Sequence, residues 1–146
     1  MENEQLRQLT ERGVYISVPH GISMKPMLTD RDCAVEVRAL DREPRRYDLV
    51  MYIRGESQGV IHRVIRPGDP CLILGDNCWQ REWIPRERIA GIVTRFYRKG
   101  KWHSVEDKGY LLYVHLWTNL LFLRRPLFYF RDKVKGKLRR WKGRKL

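Results

Sequence analysis

Cysteine is scarce and uneven in this chain: Cys33, Cys71 and Cys78 are the three present, with no Cys-x-x-Cys among them. That excludes a dense disulfide framework and offers no metal-type spacing, so the thiols read as reduced structural groups, and neither metal nor cofactor is expected. Long apolar runs are lacking as well. No stretch reaches the ~18 apolar residues that read as a membrane span. The first residues, Met1-Glu2-Asn3-Glu4-Gln5-Leu6-Arg7, are polar and lack the basic start and apolar stretch of a secretory signal. The expected location is cytoplasmic, or peripheral at a membrane.

Acid is missing from the last third. Residues 98–146 carry fifteen Lys and Arg against Glu106, Asp107 and Asp132, a balance of +12, whereas residues 1–97 hold fifteen basic and fourteen acidic residues, a balance of +1. The net charge of +13 therefore belongs to the tail. At 146 residues the chain is one domain with a small appendage, long enough to bury a core without disulfides or metal.

What is present divides at about residue 104. Residues 2–13 read as a short amphipathic helix, with Leu6 and Leu9 three apart and Gly13 as its stop. Strands are predicted over 14–18, 32–38, 48–54, 59–66, 71–74 and 89–98. Turn signals stand between them at 54–57, 67–70 and 99–101. Short strands about ten residues apart imply a compact, mainly β domain over 1–104. Residues 105–146 read as a basic, aromatic helical tail, hinged at Pro126.

Three segments carry the chemistry. Gly21-Ile22-Ser23-Met24-Lys25-Pro26 places a serine in a bend, Ile61-His62-Arg63-Val64 places a histidine in an apolar strand, and Gly75-Asp76-Asn77 ends a strand with a turn. Gly21 lets the backbone bend closely and Pro26 fixes φ just beyond the serine, so the hydroxyl can be aimed outward beside backbone N–H groups. Such N–H groups, chiefly that of Ser23, are what an oxyanion hole needs. Imidazole titrates near neutrality and can take a serine proton and return it to a leaving amine. Asp76 can orient that imidazole or simply cap its own turn. His20, His103 and His115 lie in less rigid settings, and Lys25, two residues from Ser23, reads as exposed.

Ser-Met-x-Pro, His-Arg-Val and Gly-Asp-Asn, in this order, resemble the signal peptidase-like S24/S26 serine peptidases, most closely the branch in which histidine replaces the base lysine. The resemblance covers residues 13–98. It includes Tyr47-Asp48-Leu49-Val50, which looks like the family's Gly-Asp-Val-Val with tyrosine in the glycine position, and Ile89-Ala90-Gly91-Ile92-Val93 as a closing strand. It implies a signal peptidase/LexA-like β-rich catalytic domain and a serine endopeptidase that cleaves an extended peptide or protein segment, with Ser23 as nucleophile and His62 as general base. Asp76 becomes an orienting or supporting residue, with Glu82 its nearest competitor, and Gly21, Met24 and Pro26 shape the serine turn and groove. A departure is Gly21, where the family often places a serine that serves the oxyanion hole. A non-catalytic peptide-binding module and a self-processing regulator are the rival readings. The regulator needs a DNA-binding domain that the 22 residues before Ser23 cannot hold.

The tail offers a second partner. Its 14-residue apolar stretch, 110–123, is shorter than the ~20 residues of a span. Aromatics beside a basic end fit an anionic membrane surface, or a helix packed on the β domain. Basic charge alone is sequence-blind, so no specific nucleic acid is expected.

Overall fold

The computed structural model describes residues 4–29 and 33–143. A helix α1 (Glu4–Arg12) ends where Gly13 takes a φ of 68°, a left-handed stop that glycine adopts without a Cβ penalty. Eight strands follow: β1 (Val14–Ser17), β2 (Ala34–Ala39), β3 (Leu49–Arg54), β4 (Gln58–Arg66), β5 (Cys71–Leu74), β6 (Glu82–Ile84), β7 (Ile89–Arg98) and β8 (Lys101–Ser104). Two helices close the chain, α2 (Lys108–Asn119) and α3 (Leu121–Gly143). The expected strands are all present. Glu2 and Asn3 of the expected first helix, Asp32 of the second strand and the last three residues of the tail lie outside the described residues.

Every strand pair is antiparallel, in one sheet ordered β1-β2-β7-β3-β4-β5-β6, with β8 pairing β7 beside that path. The molecule is thus a mainly antiparallel β-sheet protein with C-terminal helices. Two strands were not foreseen. β6 has three residues, too few for a visible period, and β8 pairs back through Lys99 and Gly100, whose φ values of 51° and 82° make the tight hairpin.

Both faces of the central sheet are covered, and the alternation of β3 shows how. Leu49 and Met51 join one apolar cluster with Met24, Met27, Leu28, Val35 and Val37, whereas Val50 and Tyr52 join another with Val64, Ile73 and Ile92. Successive side chains of a strand point to opposite faces. On β4 the same rule sends Arg63 to the first face with Ile61, and His62 to the second with Val64. That parity decides the chemistry below.

The tail packs on the domain. Tyr110 and Tyr113 of α2 lie against the first cluster. The hinge falls at Leu120, not at Pro126, which lies inside α3. Arg124 explains the difference: its Nε donates to the Trp117 carbonyl at 2.8 Å, satisfying one of the orphan acceptors at the end of α2. The cost of Pro126 falls on the carbonyl four residues earlier, that of Phe122, a residue 72% exposed. Among the described residues no helix is long and apolar enough to cross a membrane.

Candidate active site

The serine turn occupies residues 21–28, between β1 and β2. Met24 and Met27 are buried, so Lys25 and Pro26 between them are left outside. Lys25 is exposed, as expected. Pro26 does not line the cleft, which corrects its place as a groove residue. The Gly75-Asp76-Asn77 loop grips this turn from below. The Asn77 N–H donates to the Ser23 carbonyl at 2.7 Å and the Asn77 amide to the Ile22 carbonyl at 3.0 Å. The Asp76 N–H meets the Met24 sulfur at 3.5 Å. Gly21, with a φ of 91°, provides the bend that brings the chain off β1 into this turn.

A cleft of about 800 Å³ opens beside it, lined by Ser17, Gly21, Ser23, Met24, His62 and Glu82 among others. Ser23 and His62 therefore share one cavity, and Gly75 is their joint. A Cβ on Gly75 would sit 2.8 Å from the Ser23 carbonyl oxygen, 2.8 Å from the Cys78 sulfur and 3.0 Å from His62 Nε2. Only a hydrogen at this position lets the serine backbone and the imidazole come so close.

The other imidazole nitrogen, Nδ1, lies 3.1 Å from Glu82 Oε1 and 3.3 Å from the Tyr52 hydroxyl. Arg54 donates to both Glu82 oxygens, at 2.6 and 2.7 Å, and to the Tyr52 hydroxyl at 2.8 Å. The hydrogen bond with His62 is the main reason the Glu82 carboxyl is held down at about 2, with Arg54 adding to it against the opposing effect of burial. Burial drives the Tyr52 phenol upward, so it stays protonated. Glu82 is therefore a fixed carboxylate that selects the tautomer with hydrogen on Nδ1, leaving Nε2 on the Ser23 side.

Asp76 serves the opposite face, so of its two expected roles the orienting one is corrected and the supporting one fits. Arg63, fully buried, donates from Nε and Nη2 to the two Asp76 oxygens at 2.7 Å each. Its remaining donors reach the Tyr47 carbonyl, the Tyr110 hydroxyl and the Met27 sulfur. All five guanidinium hydrogens thus have acceptors, which is what a charge out of water requires. The Tyr113 hydroxyl completes the Asp76 carboxylate at 2.9 Å. The physical reason for the change of carboxylate is strand parity: His62 and its neighbour Arg63 face opposite ways, and Asp76 lies on the Arg63 side.

Sequence reasoning also missed three arginines of α3. Arg124 donates to the Asp76 carbonyl at 2.7 Å, Arg125 to the Trp79 carbonyl at 2.9 Å, and Arg131 to the Asn77 side chain and carbonyl at 2.7 and 3.2 Å. Trp117 of α2 adds its indole N–H to the Asp76 carbonyl at 2.9 Å. The basic helix thus holds loop 76–79 in place. The other histidines stand apart in role: His103 stacks on Phe96, His115 lies against Tyr47, and exposed His20 lines the cleft rim. Among the described residues no group of three or more His, Cys, Asp or Glu side chains is placed to hold a metal ion.

Compared with known proteins, the chain matches no family model, no curated protein and no solved structure.

Proposed function

We propose that the protein is a serine endopeptidase of the signal peptidase-like type, acting through Ser23, His62 and Glu82. The observation that carries this reading is the imidazole of His62, with Nδ1 on the Glu82 carboxylate and Nε2 beside the Ser23 turn at Gly75. Nucleophile, base and orienting acid in that relation are the arrangement of acyl-transfer hydrolases. Tyr47 adds support from outside the cleft. It stands where the resemblance has glycine, and its φ of 79° is the left-handed conformation that glycine favours.

In this reading the reaction runs in two halves. As the Ser23 oxygen attacks the scissile carbonyl, His62 Nε2 takes its proton and Glu82 stabilises the imidazolium through Nδ1–H. The Ser23 N–H faces the developing oxyanion in this scheme. The imidazolium then returns the proton to the leaving amine, and an acyl-serine remains. Water, deprotonated by the same Nε2, attacks the acyl carbon, and as the ester bond breaks Nε2 returns that proton to the Ser23 oxygen and the new carboxyl end leaves. An extended segment fits beside Ser17 and Val18 at the end of edge strand β1, where a strand can be added by backbone hydrogen bonds. Asp76 and Arg63 hold the floor of this machinery rather than act in it.

The test compares wild type with Ser23→Ala and His62→Ala on a peptide library, read by mass spectrometry, with the intact mass of each chain followed in parallel. Wild type should cleave, with each variant slower by about 10⁴-fold or more. Equal cleavage by all three, or cleavage by none under any condition, overturns the reading and leaves a peptide-binding module. Loss of mass from the wild-type chain alone identifies a self-processing member.

A further inference from the structure

We infer that α3 is a docking surface for an anionic lipid membrane, on which it lies parallel to the bilayer plane. Leu123, Leu127, Phe130, Val134, Leu138 and Trp141 recur at intervals of three and four residues, so they form one continuous stripe along the helix. Each is more than half exposed, Leu127 at 66% and Phe130 at 63%. The face turned to the domain is a different one, made by Leu121, Arg124, Phe128 and Arg131. A row of large apolar side chains on one face, each more than half exposed, exceeds the scattered apolar residues of an ordinary surface.

The charge around the stripe names the occupant. α3 carries nine Lys and Arg against one acid, Asp132. Lys133 and Lys137 fall along one edge of the stripe and Lys135 and Lys142 along the other, by helical spacing. An apolar band with cationic borders matches the acyl boundary of a bilayer beneath a layer of anionic headgroups. A second copy of the chain would bring these cationic borders together, which disfavours pairing through the stripe. Nucleic acid would meet the lysines and leave the leucines in water. Because Arg124, Arg125 and Arg131 fasten α3 to loop 76–79, a docked helix holds the cleft beside the membrane. The docking itself does not depend on the peptidase reading.

The experiment is sedimentation of the full chain with unilamellar vesicles of phosphatidylcholine, with and without an equal part of phosphatidylglycerol, at low and high salt. Wild type should bind the mixed vesicles, at least tenfold more weakly when the anionic lipid is left out and more weakly again in high salt. The double variant Leu127→Glu/Phe130→Glu, at exposed positions, should lose binding by at least tenfold with an unchanged melting temperature. Lys133→Glu/Lys137→Glu should lose the preference for anionic lipid while keeping the fold. Absence of binding by wild type overturns the inference, as does equal binding by Leu127→Glu/Phe130→Glu. So does a dimer that these glutamates abolish while vesicles leave wild type in solution, or tighter binding to duplex DNA than to mixed vesicles.

Discussion

Two carboxylates within six positions of each other, Asp76 and Glu82, meet two neighbours on one strand, Arg63 and His62, and the contrast between the pairs organises the molecule. The Arg63–Asp76 pair is sealed, with both side chains buried and every guanidinium hydrogen accepted. The His62–Glu82 pair opens into the cleft, with Glu82 partly exposed. A sealed charge pair fixes where a loop sits, whereas a buried imidazole and a partly exposed carboxylate bordering a cleft can move a proton. One strand thus supplies a structural cation on one face and, in the proposed function, the base on the other.

The contrast can be broken hardest from its buried side. Arg63→Met removes the cation and leaves the Asp76 carboxylate in a dry site, which should destabilise the fold by about 3–5 kcal/mol in urea unfolding. A cost below about 1 kcal/mol would mean that water already reaches this pair. Gly75→Ala strikes the joint between the two faces. Its new methyl must push the Ser23 carbonyl, the Cys78 sulfur or His62 aside. We expect about 1–3 kcal/mol of destabilisation by overpacking, with a larger loss of kcat than of substrate binding.

Acid gives a smaller effect. Glu82 and Glu36 are both held at about 2, below the ordinary 4.5, by His62 and Arg95 respectively as the leading causes. A depressed carboxylate contributes stability that is full above its unfolded value and is lost as pH falls through its folded value. Each therefore weakens the fold only between about pH 4.5 and pH 2, and Glu36→Gln should flatten that part of a melting-temperature profile. A change confined to pH 6–8 would contradict this assignment. Lys25→Ala, at an exposed position of the serine turn, should leave cleavage unchanged within about twofold.

How far these faces were legible from sequence depends on the length of the element that carries them. β5 and β7 stood out as runs of Cys71–Leu74 and Ile89–Arg98 between turn residues, and the fold followed from them. The histidine was found because an imidazole amid Val60, Ile61 and Val64 sits on a rigid strand. Its partner was named only as the competitor of Asp76, because Glu82 lies on a strand of three residues that shows no period. A usable signal was present even so: Arg63, in the same apolar strand, needs a buried anion, and strand parity reserves Asp76 for it. The arginines of α3 were hidden for another reason. Charge runs usually face water, and nothing in their spacing tells that Arg124, Arg125 and Arg131 find backbone carbonyls.

The sharpest comparison sets Glu82→Gln against Asp76→Asn, measured as kcat/KM on one cleaved peptide, well below either melting temperature. The pairing of His62 with Glu82 predicts that Glu82→Gln lowers kcat/KM by about 10³-fold while its melting temperature stays near wild type. Asp76→Asn should chiefly lower the melting temperature. The reverse pattern, an active Glu82→Gln and a stable but inactive Asp76→Asn, would contradict it.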